Sequence, residues 1–117
     1  MKSGTLSLLA DEAISHNPLV RKKVLLHCGE VPHVTQVSRV VFPLGEIASS
    51  HSHADMWELF LCEKGEGVMT INGREIVLAA GNYVLVEPNE AHEICNTGKL
   101  SLELYCMGCS HRRLASV

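Results

Sequence analysis

The chain has no long hydrophobic run. Nothing in it approaches the ~20 consecutive apolar residues that a membrane-spanning helix needs, so no membrane partner is expected. It has no basic stripe either: 10 Lys and Arg are scattered among 13 Asp and Glu, for a formal charge of −3, and no nucleic-acid partner is expected. A regular, even-numbered cysteine set is also missing. Cys28, Cys62, Cys95, Cys106 and Cys109 are odd in number and irregularly spaced, which argues against the disulfide framework of a small secreted domain. The short apolar run Leu6-Ser7-Leu8-Leu9-Ala10 is cut off by Asp11 and Glu12, so it does not read as a secretory signal, and a cytoplasmic location is expected. No internal repeat and no low-complexity segment is present.

What the chain does have is β texture. Its 117 residues, 46% apolar and 20% charged, suit one folded domain. From Val20 onward, short apolar runs alternate with glycine turns: residues 24–26, 34–42, 59–62, 68–71, 75–78 and 83–86, and a last long run from about Leu100 to Cys106. Asn72-Gly73 between two of these runs predicts a hairpin, because both residues accept the positive φ of a type I′ turn. Short strands at even spacing indicate an all-β sandwich or barrel. Residues 7–15 are expected to form a short helix with Leu8, Leu9, Ala13 and Ile14 on one side, stopped by Asn17-Pro18.

The chemistry concentrates between Gly45 and Gly65. His51 and His53 are one residue apart, which on a strand points both imidazoles to one face, and Glu58 follows after a gap long enough to turn a corner. Two imidazoles and a carboxylate converging on a point describe a transition-metal site with open positions. Further along, after a strand and a tight turn, His92 supplies a third imidazole.

The two halves together resemble the cupin family. Gly45, His51, His53, Glu58 and Gly65 fit every fixed position of its first motif, G-x5-H-x-H-x4-E-x6-G. Gly81, His92 and Asn96 fit its second, G-x5-P-x-G-x2-H-x3-N, which is broken at Glu87, where the family has proline, and at Asn89, where it has glycine. Asn89 is a mild departure, since asparagine tolerates left-handed geometry, and Pro88 keeps the turn stiff. The resemblance spans about residues 35–106. It implies an all-β jelly-roll barrel over residues 20–109, with an N-terminal arm or helix over 1–19 and a tail over 110–117, where Arg112-Arg113 reads as solvated.

The resemblance also implies one divalent transition metal held by His51, His53, Glu58 and His92, with Fe, Mn, Ni, Co and Zn all compatible with such donors. Four protein ligands on a six-coordinate ion leave two positions for a bidentate small molecule, or for one substrate oxygen and dioxygen. The first occupancy resembles the family's isomerases, epimerases and lyases, the second its dioxygenases, and the dioxygenase type is placed first. A non-catalytic small-molecule-binding or sensor role is the alternative. Glu87, Tyr83 and Arg39 are the candidates for further catalytic groups, although an outward position is the favoured reading of Glu87 and Arg39. Phe60, Cys62, Val84, Val86, Trp57 and Met56 are expected around the pocket. Cys106-Met107-Gly108-Cys109 reads as buried small residues rather than a metal clip, and His16, His27, His33 and His111 as surface or hydrogen-bonded histidines. Runs apolar on both faces, such as residues 59–62 and 83–86, call for cover on the outside as well, and a homodimer is expected.

Overall fold

The strands in chain order are β1 (Glu12–Ile14), β2 (Asn17–Leu26), β3 (Val34–Phe42), β4 (Ile47–His51), β5 (Met56–Lys64), β6 (Glu66–Ile71), β7 (Arg74–Ala79), β8 (Tyr83–Val86), β9 (His92–Asn96) and β10 (Leu102–Ser110). Alternate residues along them are buried, as expected of sheets with one face on a core. In β8, Val84 and Val86 point inward while Tyr83 and Leu85 face out, and β6 likewise buries Gly67, Met69 and Ile71. The structure is a computed structural model that describes residues 1–111. In it, a six-stranded sheet ordered β1-β2-β3-β10-β5-β8 faces a four-stranded sheet ordered β4-β9-β6-β7, every pair antiparallel. This is an all-β jelly-roll barrel. Arg112-Arg113 lies outside the described residues.

Register gives the interior a gradient. Across the larger sheet, Phe42 faces Leu102, and the next inward row is Lys22, Val40, Leu104 and Cys62. The row beyond holds Val24, Ser38, Cys106, Phe60 and Val84, and the last holds Gln36, Gly108, Glu58 and Val86. One end is therefore filled with hydrocarbon, including fully buried Phe42, Leu102, Leu104, Met69 and Leu78. Polar side chains gather toward the other.

The turns follow their chemistry. Asn72 (φ 48°) and Gly73 (φ 83°) make the expected hairpin between β6 and β7. Gly65 has φ 87°, and a Cβ there would strike the Ser101 carbonyl and come within 2.9 Å of Leu102 Cα, so position 65 takes glycine on two counts. Asn96, 2% exposed, ties three segments together. Its amide nitrogen donates to the carbonyls of Phe42 (2.9 Å), Pro43 (3.1 Å) and Leu100 (2.9 Å), and its oxygen accepts from Gly98 N–H at 3.0 Å.

The N-terminal segment departs from expectation. No helix forms over residues 7–15. A single 3-10 turn, Leu6–Leu8, precedes β1, and Asn17-Pro18 opens β2 rather than ending a helix. Leu8 is 83% exposed, so such a helix would have no apolar ground to lie on, and a short helix without burial is marginal in water. The free edge of β2 offers the segment backbone hydrogen bonds instead.

Replacing Asn96 by Asp keeps its shape and removes both donors. The Phe42 and Leu100 carbonyls would then face an acceptor, while Pro43 keeps the Glu46 N–H at 3.1 Å, and at ~1–3 kcal/mol per unsatisfied buried group the variant is expected to lose at least about 2 kcal/mol. Urea unfolding checks this: the midpoint should fall with an unchanged slope.

Candidate metal centre

Four donors meet at the polar end of the barrel. His51 is the last residue of β4 and His92 the first of β9, paired across the smaller sheet. His53 lies two residues beyond β4, in the loop rather than on the strand, and Glu58 comes from β5 in the opposite sheet. One donor atom from each of the four lies within 4.8 Å of every other. The turn with the two motif departures braces this loop: Asn89 takes a left-handed φ of 67°, and its N–H donates to the His53 carbonyl at 2.7 Å. The 87–90 turn is closed in turn by Glu90 Oε1, which accepts from the Glu87 N–H at 2.7 Å.

The donor set fits a cation, and hydrogen bonding shows why. His92 Nδ1 lies 3.1 Å from the Glu90 carbonyl, and His51 Nδ1 lies 2.9 Å from the Ser49 carbonyl. A carbonyl only accepts, so both Nδ1 atoms carry the proton, and the Nε2 of each neutral ring presents a lone pair to the interior. His92 Nε2 then faces Glu58 Oε1 at 3.1 Å, and Glu58 Oε1 is 3.2 Å from His53 Nε2. Glu58 Oε1 and His92 Nε2 are buried and have no hydrogen-bond partner among the described residues; their contact is short but misaligned for a hydrogen bond. Two buried lone-pair atoms pointed at each other repel unless a proton or a metal ion stands between them.

The ionisation tendencies say the same. Burial pushes the Glu58 carboxyl up, but contact with His92 and the charges of His92, His53 and His51 outweigh it and hold the group below the ordinary range. Burial pulls His92 down, while Glu58 and the Glu90 carbonyl pull it up further, leaving it above an ordinary histidine. Cys106 donates its S–H to Glu58 Oε2 at 3.6 Å, which fixes the carboxylate's orientation. Burial first, and then the Glu58 charge, raise that thiol well above its usual value, so it stays protonated.

The four donors open into a cavity of about 420 Å³, in the size range of small-ligand pockets. Phe60 forms part of its wall. The other pocket residues expected from the sequence do not line it. Cys62, Val84 and Val86 are buried in the packed core, Trp57 stacks edge-on against His111 at 4.2 Å, and Met56 Sδ accepts from the Thr35 hydroxyl at 3.0 Å. The cavity is lined from β2, β3 and β10 and not from β8, so residues on the β8 side fall behind the wall. Nor does the structure bring the catalytic candidates in. Tyr83 is 73% exposed, Glu87 is exposed beside a separate groove, and Arg39 pairs with Glu103 and, at 4.0 Å, with Glu63. Alternation turns Tyr83 and Arg39 away from the inward faces of β8 and β3.

Sequence reasoning missed the opposite wall. Ile14, Ser15 and His16 of the β1–β2 hairpin line the cavity with Lys22, Gln36, Ser38 and Cys106. His16 is thus at the site, although it reads as a bland surface histidine. A signal existed in β2, where Val20 and Val24 are buried on the face that also carries Lys22. Cys106 and Cys109 lie three apart on β10, on opposite faces, and every described cysteine is free.

Comparison with known proteins agrees with this architecture. A family model described as a cupin domain matches residues 38–108, more than half of the chain. The oxalate-binding protein of Thermotoga maritima is 33% identical over 66 residues, which cover 56% of this chain and 54% of that one. The match therefore spans about half the length of that relative. The crystal structure of a predicted oxalate decarboxylase from Thermotoga maritima matches with a TM-score of 0.83 at 24% identity, covering 93% of this chain and 99% of that one. An RmlC-like cupin from Shewanella frigidimarina matches with a TM-score of 0.75 at 18% identity, covering 93% and 90%. At such identities the two solved structures speak for the fold alone.

Stability of the chelator-treated protein should follow the two shifts. Glu58, lowered from 4.5, contributes stability above that pH and loses it as pH falls through the folded value. His92, raised from 6.5, contributes below that pH and loses it as pH rises through the folded value. Melting temperature in EDTA should therefore peak between about pH 4.5 and 6.5. In Glu58→Gln the decline on the alkaline side should vanish, and a decline persisting there would place its cause elsewhere.

Proposed function

The chain belongs to the cupin family, and on that premise we propose that it is a metal-dependent cupin whose His51, His53, Glu58 and His92 hold one divalent transition ion, Fe, Mn, Ni, Co or Zn, for binding a small carboxylate. The observation that carries this reading is the buried pair of unpartnered atoms, Glu58 Oε1 and His92 Nε2, at the head of a cavity. When bound, such an ion supplies Lewis acidity and two positions for the oxygens of a bidentate ligand. The chain's own residues do the rest. The Ser49 and Glu90 carbonyls hold the imidazoles of His51 and His92 with their lone pairs inward, the Cys106 thiol steadies the Glu58 carboxylate, and Phe60 and Ile94 exclude water from the floor. Similarity to the oxalate-binding protein of Thermotoga maritima supports a carboxylate as the ligand class.

Whether turnover follows binding separates the finer readings: dioxygenase chemistry, Lewis-acid isomerase, epimerase or lyase chemistry, and binding alone. Neither Glu87 nor Tyr83 reaches the cavity to move a proton, and beside the four donors the described proton-carrying side chains on its wall include His16 and Lys22. A cytoplasmic location remains part of the proposal.

A homodimer is also part of it. Tyr83 (73% exposed), Leu85 (53%), Leu61 (42%) and Met107 (37%) adjoin one another on the outer face of β8, β5 and β10, where Leu61 pairs with Tyr83, and Leu59 with both Leu85 and Met107. A contiguous apolar sheet face of this kind is what a second copy would cover.

Elemental analysis should find close to one transition-metal ion per chain, and His53→Ala should lose it while keeping a cooperative melt. Fewer than about one ion in ten chains, with none taken up on soaking, would overturn the metal reading. Oxygen uptake and carbon dioxide release with oxalate and with α-keto acids then sort the readings. Oxygen consumption indicates the dioxygenase, anaerobic turnover the Lewis-acid enzyme, and saturable binding without either a binding module. In sedimentation, the wild type should run as a dimer and Leu61→Lys/Leu85→Glu as a monomer; a monomeric wild type refutes the dimer.

A further inference from the structure

Lys22 is the least expected residue inside the barrel. It occupies the inward face of β2 between Val20 (0% exposed) and Val24 (6%), in a row whose other members are Val40, Leu104 and Cys62. Its ammonium reaches along the cavity to Gln36 Oε1 at 3.2 Å, and Gln36 is an inward residue of β3 in the same row as Glu58. No carboxylate among the described residues lies within ion-pair distance of it. The neighbouring inward positions are Ser38 and the protonated thiol of Cys106, both neutral. An ammonium is costly to hold in a half-enclosed site without an opposite charge. Gln36 offsets part of that cost with its carbonyl dipole and leaves the charge uncompensated.

The charge count points to what completes it. Of the charged side chains that line the cavity among the described residues, the carboxylate is Glu58 and the permanent cation is Lys22, so the two cancel. A divalent ion on the histidines and Glu58 would leave the site two positive charges, one at the cluster and one at Lys22. We propose that Lys22, positioned by Gln36, is the second anchor of the ligand, and that the cavity takes a small dianion with one carboxylate at the His51/His53/Glu58/His92 cluster and the other on the Lys22 ammonium. The proposal rests on the carboxylate reading above and narrows it from carboxylates in general to dicarboxylates. Lys22 selects the ligand. It is not a metal ligand, and the imidazole tautomers do not depend on it.

The test is calorimetric titration of the full chain loaded with Mn²⁺, using oxalate, malonate and succinate, each against its own monoamide, so that length is held while one charge is removed. In the wild type at least one dicarboxylate should bind tenfold or more tighter than its monoamide. Lys22→Met keeps the stem packed between the two valines and removes the charge. It should bring that pair level, with Mn²⁺ content unchanged, and Lys22→Arg should restore most of the preference. Equal affinities within every pair in the wild type, or a preference that survives in Lys22→Met, overturns the second anchor and leaves the carboxylate reading standing. A Lys22→Met protein that loses Mn²⁺ would show the lysine acting through the cluster, and also overturns it. If the Mn²⁺-loaded wild type binds none of the six probes, the carboxylate reading itself fails and takes this inference with it.

Discussion

Everything at the polar end of this barrel depends on two atoms that repel each other. Glu58 Oε1 and His92 Nε2 face one another at 3.1 Å, buried, each with a lone pair and neither with a hydrogen bond among the described residues. The groups around them maintain that opposition. The Glu90 carbonyl occupies the only proton of neutral His92, the Cys106 thiol occupies the other carboxylate oxygen, and the Asn89 N–H holds the loop that carries His53. A fold does not sustain such an arrangement for its own stability, since apolar packing in the same space costs less. What resolves it is positive charge, from a proton in the empty protein or from a metal ion in the loaded one.

The sheet register is what allows a polar end and an apolar end to coexist in so small a barrel. Because inward positions recur every second residue, each step of two along β3 and β10 moves one row across the interior, from Phe42 and Leu102 to Gln36 and Gly108. The apolar rows anchor the fold, and Asn96 closes their end by gathering the carbonyls of Phe42, Pro43 and Leu100 on one amide. The polar rows are then free to hold groups that destabilise it. Separating the two along the strands lets the site be strained while the scaffold stays rigid.

Much of this was legible in the sequence, and the reason is local. The spacing of His51, His53, Glu58 and His92, the glycines around them, and Asn72-Gly73 each express a constraint of turn or strand geometry that acts over a few residues. Asn89 shows how far such reasoning reaches, since its left-handed φ follows from side-chain chemistry alone. What stayed hidden depends on long-range pairing. The segment before Asn17 becomes a strand because an edge of β2 is available to it, which no local propensity reveals. Which barrel wall borders the cavity is set by how two sheets lean on each other, so Val84, Val86 and Cys62 were expected there and Lys22, Gln36 and His16 are found instead. Lys22 was half visible, as a charge in step with two valines.

The donors are also divided between the two sheets, His51 and His92 on strands of the smaller and Glu58 on the larger. A cation gripped by both is a rivet through the barrel. Its binding energy opposes separation of the layers and adds to folding stability in proportion to the logarithm of its free concentration. The supply of metal would then govern how long each molecule survives proteolysis as well as what it can bind, so that the empty form is removed first.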